Sequence, residues 1–388
     1  MSIHLSGLNG FRALAATGVV VSHIIISAIT EFGLNPHILG TEPNGEAKGL
    51  QLAAYGVTIF FVLSGFLITF LLLKEKELQP VNIKHFYVRR ILRIWPLYYL
   101  YLVICLIVMF ALAMPREWTS LSFYIFMVAN VPLIVKGINI PLLLGHYWSL
   151  GVEEQFYAFW PWIAKQGNAR LLKWAVGLTV GLILLKMVFW QLSTRLGIDT
   201  PYVALSITRF QCMMIGAVGA IFFYMNNGRL ISLATNLFTQ IVCWGVILFI
   251  IANRFHVASV LNHEIVSVVT LFLIIAQVTR KNRIINLDNP LCNFLGKISF
   301  GIYVYHMLVI FAVTKVLGLL PVENNWKYVL LTVLVMGITI LVAYVSYHFF
   351  EKRFLLLKHN YSAVNSSDTA EKTPEVLVSD GGVSDKVA

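Results

Sequence analysis

At 388 residues the chain is 58% hydrophobic and 12% charged, against roughly 45–50% apolar and 25% charged for an ordinary soluble domain, which excludes a soluble globular protein. Its net charge of +11 does not call for nucleic acid, because the basic residues cluster in short loops between apolar runs, as they do on the cytoplasmic side of membrane spans. The cysteines, Cys105, Cys212, Cys243 and Cys292, lack CxxC or paired Cys/His spacing and are expected to pack as small apolar residues, with no metal site and no disulfide framework.

The first apolar run, Leu8 to Ile29 (LNGFRALAATGVVVSHIIISAI), carries Arg12 and His23. Eleven steps of 100° return to within about 20° of the same helix face, so the two project together, roughly 16 Å apart along the axis. Either they snorkel and hydrogen-bond structurally, or they face a polar pathway inside the bundle. No basic n-region precedes the run and it is span-length, so a cleaved signal peptide is not expected.

Further runs fall at 52–73, 93–114, 171–191, 205–225, 232–252, 258–279, 298–320 and 327–349. The region 119–163 is interrupted by GINIP and LLLGHYW. Loop 74–93 holds Lys74, Lys76, Lys84, Arg89, Arg90 and Arg93, whereas loop 30–50 holds Glu31, Glu42 and Glu46 against Lys48. The first is therefore expected to be cytoplasmic and the second external. Lys165, Arg170 and Lys173, and then Arg280, Lys281 and Arg283, mark further cytoplasmic loops. The expected fold is an all-α polytopic membrane protein of about ten transmembrane helices, with a re-entrant or broken segment near 119–163 and both termini cytoplasmic. Residues 1–355 form the transmembrane domain, and the polar stretch 356–388 is expected to be a disordered cytoplasmic tail.

Polar residues inside the apolar runs are the functional candidates. Gly56, Ser64 and Gly65 suit close helix approach. Arg90 and Arg93 are i, i+3 neighbours that either fix topology or form a fork for phosphate. The stretch GHYWSLGVEEQFYAFWPW sets His146, Trp148, Ser149, Glu153, Glu154 and Gln155 among aromatics. Its adjacent carboxylates point about 100° apart, so they cannot serve one small site in the same way. His306 is expected to be a hydrogen bonder in the core, and Lys352 and Arg353 to mark the membrane boundary.

Taken in order, LNGFRALAATGVVVSHI, FFVLSGFLIT, RRILRIWPLYYL, HYWSLGVEEQFYAFWP, ISFGIYVYHM and HFFEKRF resemble the membrane-bound acyltransferase 3 family, in its stand-alone form without an SGNH hydrolase-like domain. Two departures stand out: Asn9 replaces the usual aspartate, and Lys352 and Arg353 replace the usual proline after the glutamate. The resemblance implies an O-acyltransferase of the bacterial inner membrane, moving an acyl group, commonly acetyl, from cytoplasmic acyl-CoA to a hydroxyl of a cell-surface or lipid-linked glycan. In that scheme Arg12, Arg90 and Arg93 hold the CoA phosphates and His23 is the general base or first acyl acceptor. Glu153 or Glu154 orients the imidazole or binds sugar hydroxyls, and His146, Trp148 and Ser149 contact substrate. The expected partners are the glycan or glycolipid acceptor and membrane lipids, with acetyl-CoA as co-substrate and no metal. The alternative is a polytopic transporter or flippase for a glycan or lipid.

Overall fold

The computed structural model describes residues 2–34, 50–114, 118–366 and 375–377. The external loop expected from Glu42, Glu46 and Lys48 lies outside the described residues, as do 367–374 and 378–388 of the tail.

Helix α1 (Leu8–Phe32) starts after Gly7 and ends at Gly33, whose φ angles of 78° and 62° favour glycine. α2 (Leu52–Leu78) is apolar on all sides and buried over most of its length, as expected of a central helix. α3 (Ile83–Ala111) is capped by the Asn82 side chain, which accepts from the His85 N–H. Then come the short α4 (Trp118–Ile125) and α5 (Val131–Ile134), a 3-10 turn at Gly145–Tyr147, and α6 (Trp148–Ala164). α7 (Asn168–Leu196) is followed by α8 (Thr200–Thr208) and α9 (Phe210–Tyr224), which meet at Arg209. α10 (Gly228–Ala234) and α11 (Leu237–Ile251) precede α12 (Asn262–Thr279), α13 (Pro290–Lys297) and α14 (Ser299–Gly318). α15 (Asn324–Ser346) continues through a π turn at Tyr347–Glu351 into α16 (Lys352–Lys358). β1 (Ser2–His4) lies between the short strands β2 (Asn365–Ser366) and β3 (Glu375–Leu377), parallel to both. Parts of the stretch expected to be disordered from 356 onward thus take regular structure.

The span count corrects the expected ten. Among the described residues eight helices are long and apolar enough to cross a membrane, or nine if the bent pair α10 and α11 forms one span. The 57° bend falls at Asn236, whose side chain caps the Phe238 and Thr239 N–H groups and restarts the helix. Residues 118–164 supply no full span because α6 has 17 residues, about 25 Å of rise against a hydrocarbon core of about 30 Å. Outer helices expose large apolar side chains such as Leu184, Phe249 and Leu341. That surface suits lipid and makes this a multi-pass membrane protein.

α2 is locked in place by backbone contact. A Cβ at Gly65 would collide with the Met213 carbonyl of α9, and one at Gly216 with the Val62 carbonyl of α2. Gly56 faces the Ala15 carbonyl of α1, where a Cβ would lie 2.8 Å away. Gly216→Ala is expected to cost about 3 kcal/mol through overpacking, read as a lower melting temperature of the detergent-solubilised protein; an unchanged melting temperature would contradict the contact.

Side-chain bonds gather the basic helix ends at one end of the bundle. Lys76 of α2 donates to the Gln166 carbonyl beyond α6, and Arg89 of α3 to Glu75 of α2 at 2.7 Å. Asp288, before α13, accepts from Ser6 at 2.6 Å and Asn293 at 3.0 Å. Burial pushes the Asp288 carboxyl up, but hydrogen bonds from Ser6, Asn293 and His4 outweigh it and hold the group down at about 2. A depressed carboxylate contributes stability that is complete above its unfolded pKa of about 3.9 and disappears as pH falls toward the folded value. The melting temperature is therefore expected to drop more steeply between about pH 4 and pH 2 in the native protein than in Asp288→Asn. Parallel curves would exclude that role.

Candidate functional site

A cavity lined by both charged and apolar side chains lies among α1, α2, α3, α6 and α14 and holds about 810 Å³ of space, open surroundings included. Arg12, Arg90 and Arg93 line it. Arg12 donates to the Asn9 side chain at 2.9 Å, so the neutral amide takes over as hydrogen-bond acceptor where the acyltransferase 3 pattern has a carboxylate. The three consecutive basic positions of α3 separate by helical geometry. Arg89 turns to Glu75 and to the Tyr361 carbonyl, each at 2.7 Å, and is neutralised. Arg90 is buried, with its guanidinium over the rings of Phe86 and Tyr157 and its Nε without a hydrogen-bond partner. Cations held this way in an apolar wall favour an anionic ligand.

α6 contributes Glu153 to the cavity, where it accepts from Tyr157 at 2.7 Å and Ser64 at 3.2 Å. Glu154, one step round the helix, instead faces α3 and accepts from the Trp95 indole at 3.3 Å, leaving its Oε1 unpartnered. Ser149 also lines the cavity and shares a hydrogen bond with the Tyr303 hydroxyl. Trp148 and His146 do not line it. Trp148 packs against Arg209 and Phe61, and His146 is buried in the core with its Nε2 3.1 Å from the Val304 carbonyl.

His23 does not line the cavity. Phe60 and Tyr303 line it, their rings edge-to-face at 5.9 Å, and the Tyr303 ring lies 5.8 Å from that of His306, which meets His23. The surroundings of His23 fix its tautomer. His306 Nδ1 lies 2.6 Å from the Tyr303 carbonyl and must donate to it, so His306 Nε2 carries a lone pair. His23 Nδ1 lies 2.9 Å from the Val19 carbonyl and 3.3 Å from that lone pair, two acceptors that place the proton on Nδ1. The lone pair of His23 is then on Nε2. Neither glutamate is its hydrogen-bond partner; His306 is, with His146 edge-on behind it at 4.8 Å between ring centroids. Sequence reasoning missed this pairing, although three histidines set in apolar stretches were the available signal. Among the described residues no three metal-ligating side chains are placed to share an ion.

An apolar helix bundle with an arginine-lined cavity and a tautomer-locked histidine paired in the neighbouring core defines a multi-pass membrane protein. The profile of a family described as an acyltransferase domain matches residues 5–348, and the chain belongs to this acyltransferase 3 family. It is 28% identical over 382 residues to the peptidoglycan O-acetyltransferase OatA of Listeria monocytogenes, covering 90% of this chain and 55% of that protein. It is 26% identical over 380 residues to the O-acetyltransferase OatA of Staphylococcus aureus, covering 90% and 57%. The chain thus spans little more than half the length of these relatives. No solved structure matches.

The two glutamates should separate in function. Glu153→Gln is expected to lower acyl transfer by membranes carrying the protein at least about tenfold, a transition-state loss of about 1.4 kcal/mol, whereas Glu154→Gln stays within about twofold. Equal losses would show that the cavity does not distinguish them.

Proposed function

We propose that the protein is an O-acetyltransferase that moves an acetyl group from cytoplasmic acetyl-CoA to a hydroxyl of a cell-surface or lipid-linked glycan. The observation that carries this is one cavity lined by Arg12, Arg90 and Arg93, with His23 eleven residues along α1 from Arg12, about 16 Å away along the helix axis. The guanidiniums suit the donor pyrophosphate, and the apolar walls of Phe60, Phe61 and Leu67 suit the arm that carries the thioester inward. The names of the OatA relatives support acetyl as the group and a glycan as the acceptor. The basic helix ends gathered at one end favour the bacterial inner membrane with that end, and both termini, in the cytoplasm.

In the proposed reaction His23 Nε2 takes the proton from the acceptor hydroxyl as its oxygen attacks the thioester carbonyl. The tetrahedral intermediate collapses, the C–S bond breaks, and the imidazolium returns the proton to the departing thiolate. His306 acts as a positioning residue by keeping the His23 proton on Nδ1. The Phe60 and Tyr303 side chains must part for the thioester to reach the imidazole. A glycan or lipid flippase would also need polar groups in the bundle, but not arginines aligned with a histidine of fixed tautomer.

His23→Ala is expected to reduce transfer of labelled acetyl by about 10²–10⁴-fold with donor affinity unchanged. His306→Gln, which keeps an acceptor toward Nδ1, should retain more kcat than His306→Leu. Full activity in His23→Ala would remove it from the mechanism, and glycan movement without donor consumption would favour the flippase.

A further inference from the structure

After α16 the chain turns back across the basic end of the bundle, where residues 358–366 are fastened to α3 and to β1. The Tyr361 carbonyl accepts from Arg89 at 2.7 Å, and the Tyr361 ring meets His85 edge-on at 5.5 Å. Val364 is buried in the apolar cluster shared by α1, α2 and α12. β2 then pairs with β1, Ser2 opposite Asn365 and Ile3 opposite Ser366. Beneath this segment is a separate chamber of about 380 Å³, open surroundings included, lined by Glu75, Arg89 and Arg90 of the helices and by Ser362 and Val364 of the segment. Ile68 and Arg90 line both this chamber and the arginine-lined cavity, so the two spaces lie back to back across them. Glu75 Oε1 and Arg90 Nε are buried without a hydrogen-bond partner among the described residues.

We propose that residues 358–366 form a strap that seals the space behind Arg90, and that lifting the strap loosens the cavity's hold on an anion. The seal rests on geometry alone, and its effect on binding rests on the donor role proposed above. The strap is fastened from outside the helices: Tyr361 is 37% exposed, and the pairing of β2 with β1 covers two residues of each. Its release breaks no helix-to-helix packing, so it needs far less free energy than global unfolding. Docked, the strap keeps the rear of a buried guanidinium in an apolar wall, where charge interactions are stronger than in water. Lifted, it lets water reach Arg90 Nε and Glu75 Oε1. The hydrated guanidinium then attracts an anion in the cavity less strongly.

The test uses the full chain in phosphatidylcholine nanodiscs with Cys292→Ser, which leaves the buried Cys105, Cys212 and Cys243 as reporters of global opening. Leu72 lines the chamber and not the cavity and is 2% exposed, so Leu72→Cys reports on the strap. A charged thiol reagent is expected to label the introduced thiol at least about tenfold faster when Val364→Asn is added, and at the native rate with Val364→Ile, while the three buried cysteines stay unlabelled. Tyr361→Ala, whose ring lies outside the core, should accelerate labelling in the same way. Acceleration in neither Val364→Asn nor Tyr361→Ala, or only together with labelling of the buried cysteines, overturns the strap. Calorimetry with CoA as the probe should give a Kd roughly tenfold higher in the strap-released variant. An unchanged Kd there overturns the coupling to the cavity. Absence of CoA binding by the native protein overturns the donor role and the coupling with it, while the labelling still decides the seal.

Discussion

Charge is expensive in an apolar bundle, and almost every feature of this protein answers that cost. Buried cations meet partners within the same fold: Arg89 meets Glu75, Lys186 meets Glu264 at 2.8 Å, and Arg209 donates to the Ala54 and Ser206 carbonyls. Glu153 is held by two hydroxyls. Around the cavity the balance differs, because Arg90 is buried with its Nε unsatisfied. Breaking a buried pair is strongly destabilising, and the Arg90 guanidinium keeps the nearby carboxylates of Glu153 and Glu154 and the Phe86 and Tyr157 rings as partial compensation. The phosphate-bearing donor proposed above would add to that compensation, so that its binding would also relieve part of an electrostatic penalty.

Much of the site was legible because helical geometry is rigid. The eleven-residue spacing of Arg12 and His23 and the i, i+3 spacing of Arg90 and Arg93 are consequences of 3.6 residues per turn, and the arginines do line one cavity. The 100° divergence of Glu153 and Glu154 likewise follows from the helix. What it does not say is which side of α6 faces the cavity; that depends on packing against α2 and α3. Trp148 and His146, expected from the resemblance to contact substrate, do not line this cavity.

Other features were illegible for different reasons. The His23–His306 pair joins residues 283 positions apart, and no local pattern links them. Lys186 and Glu264 are single charges in long apolar runs, so neither disturbs the hydropathy that marks a span, and their pairing across α7 and α12 is tertiary. Span counting failed where apolarity and length part company: α6 is apolar but short, and Asn236 ends one helix by capping the next. The ordered pieces beyond residue 356 depend on partners distant in sequence, including β1.

The glycine contacts of α2 have a mechanical corollary. Where backbone rests on backbone at Gly65 and Gly216, no side chain stands between α2 and α9 to change rotamer and give slack, so the two helices translate as one body. A fixed pillar of this kind leaves any rearrangement of the bundle to its other contacts. In the reaction proposed above, access to the imidazole would fall to small rotations of single rings such as Phe60 on the pillar and Tyr303 on α14, a faster and more local motion than any rearrangement of helices.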